Sequence, residues 1–99
     1  MTFDQFKNSL QQPAPPPGLS PVLEAMWWDG KGDWERSHDI AQEVHSAAGS
    51  WVHAYLHRKE GDLGNAGYWY ARAGKRMPSV GLEAEWEQMV KGLLEENAR

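Results

Sequence analysis

His53, His57 and Glu60 fall at i, i+4 and i+7 within WVHAYLHRKE, so a helix there carries all three on one stripe. Two imidazoles one turn apart can place two nitrogens on a single metal ion. Zinc needs a third protein ligand and often a fourth. Glu60, His38 or Asp62 could supply one after folding, but no fixed spacing completes the set, and HAYLH lacks the glutamate of the HExxH protease pattern. The spacing therefore favours histidines packed at a helix interface, their polar edges bonded to carboxylates or carbonyls. No cofactor is expected, with zinc on His53 and His57 as the alternative.

The same residues allow a metal-free chemistry. A histidine bonded to a carboxylate is a general base in waiting, and His57 with Glu60, or His38 with an acid across a helix pair, would suit. His38, His57 and Glu60 are thus the catalytic candidates. Arg58 or Arg72 could hold an anion. No serine sits in a nucleophile elbow and the chain has no cysteine, so acyl transfer has no visible nucleophile and an enzyme is not the leading expectation. His45 falls near a helix C-terminus, where positive charge is welcome for structural reasons alone.

Aromatic residues surround these groups. Tyr68-Trp69-Tyr70 and Trp27-Trp28 are consecutive, so their rings cannot all face one core. Some must line a groove or lie on the surface. The ligand-contact candidates are Trp27, Trp28, His53, His57, Tyr68, Trp69 and Arg72. An aromatic groove near an acid such as Asp29 could hold a cation or a flat ligand, or take a partner's peptide.

The elements that must position these residues come from a chain of 99 residues, one domain's worth. Its net charge of −4 gives no basic footprint for nucleic acid. No apolar run approaches membrane-spanning length and MTFDQFKNSL lacks a signal peptide's apolar block, so a cytoplasmic protein is expected. The glycines fit no phosphate loop, because no strand precedes them.

Thr2 and Gln5 form a capping box for a short leading helix within residues 1–10. Residues 11–19, with four prolines, read as an extended polyproline linker. Ser20 caps a helix that Pro21 begins and Gly30-Lys31-Gly32 ends. Asp33 caps a second, striped by Trp34, Ser37, Ile40, Ala41 and Val44. SAAGS breaks the chain and Ser50 caps a third, which ends at Gly61. Asp62 caps a fourth, striped by Leu63, Ala66, Trp69, Tyr70 and Ala73, with Gly74 as its stop. The last helix carries Leu82, Trp86, Met89, Val90, Leu93 and Leu94 on one face, with Glu83, Glu85, Glu87, Glu95 and Glu96 read as a solvated face.

Shifting the chain by 29 residues aligns Ala25, Gly32 and Asp33 with Ala54, Gly61 and Asp62, and brings the apolar stripes into register. Each unit reads helix, Gly-Asp turn, helix. Over residues 21–78 this resembles the tetratricopeptide repeat, the second unit best, through Gly61-Asp62, Ala66, Tyr70, Ala73 and Pro78. The resemblance implies an all-α fold of tandem helical hairpins over residues 20–99, closed by a C-terminal capping helix. It also implies a module that binds a protein or peptide between hairpins. HAYLHRKEGDLGNAGYWYARAG, residues 53–74, resembles a small family of microbial helical proteins, which implies a compact helical unit and no particular chemistry. The alternative function is a small-molecule or metal site, catalytic or not, built from His, Glu and Trp between the hairpins. The amphipathic last helix could support a homodimer.

Overall fold

Every helix start anticipated from a capping residue is present in the computed structural model, which describes residues 1–97, except one. Thr2 and Gln5 exchange bonds at 3.1 and 2.9 Å ahead of α1 (Phe3–Ser9). Ser20 accepts from Leu23 N–H at the head of α2 (Pro21–Gly30). Asp33 opens α3 (Trp34–Gln42) and Asp62 opens α5 (Leu63–Ala73), each through its carboxylate and a backbone N–H three residues on. α6 runs Leu82–Asn97. The described residues form six helices and no strand.

The exception is α4, Ala47–Lys59, capped by Ser46 and not by Ser50. SAAGS starts the helix instead of breaking the chain. Gly49 makes this possible, since a Cβ there would run into the Val44 carbonyl. The tight approach of α4 to the residues just after α3 thus depends on a missing side chain.

The two inter-helix turns are alike. Gly32 and Gly61 take φ of 86° and 87°, and Asp33 and Asp62 donate N–H to Trp28 and His57 carbonyls at 2.9 Å each. The left-handed glycine lets the chain reverse within three residues. α2 packs along α3 and α4 along α5, and α3 meets α4 across a seam. At equivalent places, Ser37 Oγ donates to the Ala25 carbonyl at 2.6 Å, and Ala66 packs on Ala54. α6 lies against α2 and α1. Phe3 and Phe6 each approach Trp86 at 5.9 Å, which docks a leading helix too short to persist alone.

The proline-rich stretch is not a straight strut. Backbone bonds from Gln11 and Gln12 continue the winding past α1, residues 12–14 bend and 17–18 turn. Lys31 Nζ donates to the Leu10 and Gln12 carbonyls at 2.8 and 3.0 Å and pins the segment to the first inter-helix turn.

The core joins Phe6, Leu23, Met26, Trp27, Val52, Leu56, Met89 and Val90, all fully buried. Two acids enter it. Glu85, expected in solvent, is 3% exposed; Arg58 Nη1 donates to it at 2.6 Å and the Tyr70 hydroxyl donates to its other oxygen. Asp29 takes Tyr55 Oη at 3.0 Å and Lys59 Nζ at 2.9 Å. Burial, followed by the neighbouring carboxylate, pushes both tyrosine hydroxyls well above their ordinary pKa, so they remain donors. Leu63, placed on the α5 stripe by spacing, is 57% exposed. No described helix is long and apolar enough to cross a membrane.

Candidate functional site

α3 and α4 bring three imidazoles together. His38 sits one turn after Trp34, and the two rings stack at 4.8 Å and 12°. Trp34 Nε1–H donates to the Leu56 carbonyl at 2.9 Å, which ties α3 to α4 and aims His38 across the seam. His53 and His57, one turn apart on α4, stack at 4.8 Å. His53 lies against Trp69 of α5 at 4.2 Å. Indole faces from α3 and α5 therefore bracket the cluster.

His38 Nε2 and His53 Nε2 stand 2.9 Å apart, and one ring nitrogen from each of His38, His53 and His57 lies within 4.8 Å of the others. A tetrahedral centre with zinc–nitrogen bonds near 2.0–2.1 Å separates its nitrogens by roughly 3.4 Å. The His38–His53 spacing of 2.9 Å is shorter than that, and a cluster within 4.8 Å leaves room for side-chain rotation to reach it. His57 Nδ1 is held at 2.9 Å by Glu60 Oε1, with Asp62 Oδ2 at 3.8 Å. That leaves Nε2 as the nitrogen His57 can offer, with a carboxylate behind the ring as in carboxylate–histidine–metal arrangements. Asp62 is already engaged as the α5 cap and by Asn65 Nδ2 at 2.6 Å. The Asn65 side-chain bond, with its backbone bond, holds the Asp62 carboxyl below its usual range.

His53 is 9% exposed. Burial first, then the neighbouring His38 and His57, lower its pKa from 6.5 to about 4. It is therefore neutral through the physiological range, the form in which an imidazole binds a metal. The same shift makes it a weak base. Among the metal-free candidates, the His57–Glu60 pair has the geometry of a histidine oriented by a carboxylate.

The other expected residues divide. Trp69 joins the site through His53, and Arg72 lies 5.4 Å from the Trp69 ring and donates to Tyr68 Oη at 3.1 Å. Tyr68 itself is 54% exposed. Trp27 does not reach a ligand surface, because its ring is fully buried and its Nε1–H is spent on Ser9. Trp28 packs edge-on to Trp27 and lies under Arg36 at 4.1 Å. Asp29 offers no cation site, since Lys59 and Tyr55 already occupy it, and Arg58 is committed to Glu85 and the Val80 carbonyl. The Trp34 platform was missed as part of the site, although Trp34 and His38 have the same i, i+4 spacing that marks His53 and His57.

Beside His53 lies a cavity of about 330 Å³, lined by Gln42, His45, Ser46, Gly49, Trp69 and Arg72 among others. Comparison with protein-family models, curated proteins and solved structures finds no match to this chain.

Proposed function

We propose that this protein binds a single transition-metal ion of the zinc class through His38, His53 and His57. The observation that carries the reading is the convergence of three imidazole nitrogens within 4.8 Å, one of them on a ring that is 9% exposed. Imidazole suits zinc, copper, nickel and iron, and nothing softer or harder competes in this donor set. Glu60 orients His57, while Trp34 and Trp69 fix the other two rings. Three protein ligands leave a fourth position for water or a ligand, as in catalytic rather than structural zinc sites.

The two helix pairs are read here as tandem hairpins of tetratricopeptide type, which the matching Gly-Asp turns support. In that reading the α3–α4 seam is where a partner peptide would be sought. The imidazoles fill it, so the metal reading takes precedence over the peptide-binding one.

Calorimetric titration of the untagged protein with zinc tests the proposal. One zinc per chain at micromolar or tighter affinity is expected, with His38→Gln and His57→Gln each weakening it at least about tenfold. Cobalt should give the visible absorption of a tetrahedral or five-coordinate nitrogen site. Failure of zinc, cobalt, copper and nickel all to bind at micromolar concentration would sink it.

A further inference from the structure

The cavity next to the histidines has a consistent electrostatic sign. None of its lining residues is acidic, although the chain as a whole carries a net charge of −4. Arg72 and two histidines line it, and the N-terminal end of α4, whose dipole is positive there, forms one wall. Arg72 has no carboxylate within ion-pair distance among the described residues. Its described contacts are the Tyr68 hydroxyl and the faces of Tyr68 and Trp69, at 5.7 and 5.4 Å. The guanidinium is thus propped in place by aromatic rings, and its charge is left for something else.

His53 gives the cavity a further polar group. It bonds through Nε2 to His38, and every buried side-chain nitrogen or oxygen among the described residues has a partner. Among the described residues nothing bonds its Nδ1, so that atom is not fully buried, and His53 is one of the residues that line the cavity. Trp69 adds a flat apolar wall. The volume of about 330 Å³ matches a small organic molecule.

We infer that this cavity binds a small flat carboxylate, its carboxylate on Arg72 and its body against Trp69. Guanidinium and carboxylate are complementary in charge and geometry, and an indole face suits a planar body. The binding groups are present with or without a metal, so this inference and the metal reading stand or fall by separate titrations.

The test is an NMR titration of the full-length, metal-free protein with benzoate, benzamide and acetate in turn. Benzoate should give saturable shifts at the His53 ring, the Trp69 indole N–H and the Arg72 side chain. Benzamide, which lacks the charge, and acetate, which lacks the flat body, should each bind at least about tenfold more weakly. Arg72→Met should weaken benzoate by a similar factor, a charged hydrogen bond being lost. Its thermal midpoint should be unchanged, because Arg72 is exposed. Trp69→Leu should also weaken benzoate without abolishing the acetate response. No saturable benzoate shift, equal binding of benzamide, or full retention in Arg72→Met would each overturn the inference. Zinc titration of the same samples reports separately on the histidines.

Discussion

His38 Nε2 and His53 Nε2 meet at 2.9 Å across the seam between α3 and α4. At that distance both nitrogens cannot carry a proton, and a doubly protonated pair would be strongly repelled. The contact makes the protonation state of His53 a property of the fold.

Stability should therefore depend on pH through His53. Its pKa is about 4 in the folded chain and near 6.5 when unfolded. Between these values the unfolded state binds more protons, so stability rises with pH through the window. The contribution is complete above about pH 6.5 and lost as pH falls toward 4, to a maximum of about 3 kcal/mol. His38 on α3, His57 on α4, and Glu60 and Asp62 beyond it are the titrating neighbours; Arg72 on α5 adds a fixed charge. Urea midpoints at pH 7.5 and 4.5 should differ more in the wild type than in His53→Leu. Equal pH dependence in the two would rule out His53 as the source.

Glycine substitutions should separate by position. A Cβ at Gly49 meets the Val44 carbonyl, whereas Gly64 and Gly67, inside α5, have nothing within 4 Å of an added Cβ. Gly49→Ala should cost about 1–3 kcal/mol, in the range for overpacking. Gly64→Ala and Gly67→Ala should each gain roughly 0.5–1 kcal/mol from helix propensity. Thermal denaturation of the three variants checks the pattern, and a neutral Gly49→Ala would place the start of α4 elsewhere.

Arg58→Met should be among the most damaging single changes. It strands Glu85, 3% exposed, with only the Tyr70 hydroxyl for company. Breaking a buried pair from one side costs about 3–5 kcal/mol. Arg58→Met/Glu85→Leu should recover much of the loss, because no buried charge remains. If the double variant were as unstable as the sum of the single ones, the pair would not be the cause.

These cases show what could be read from the chain alone. Caps are local: Thr2, Ser20, Asp33 and Asp62 each act within three residues, and all four were legible. Ser50 was the expected cap, and the start at Ser46 rests on the approach of Gly49 to Val44, which is tertiary. Glu85 sits among acids on α6, and its burial depends on Arg58 and Tyr70, which lie 27 and 15 residues away. The site divides in the same way. His53, His57 and Glu60 share one stripe by periodicity, whereas His38 and Trp69 join them only through the packing of α3 and α5 on α4. The cavity had no sequence signal, because it opens where a chain break was expected.

Metal loading should couple to stability through Glu60. If the three histidines bind zinc only when folded, free zinc at one hundred times its dissociation constant raises the unfolding free energy by about 2.7 kcal/mol. Glu60 is 41% exposed in its side chain and its described contact with the cluster is to His57 Nδ1, so Glu60→Gln should leave the metal-free thermal midpoint nearly unchanged. It should nevertheless weaken zinc by about 10–100-fold, the usual effect of losing a carboxylate behind a ligating histidine. The stabilisation at a fixed zinc concentration should shrink accordingly. Calorimetry and thermal scans of wild type and Glu60→Gln, each with zinc and with chelator, read both quantities. An unchanged zinc affinity in Glu60→Gln would mean that Glu60 does not set the orientation of His57. An unchanged midpoint on adding zinc to the wild type would mean that the imidazoles meet for packing alone.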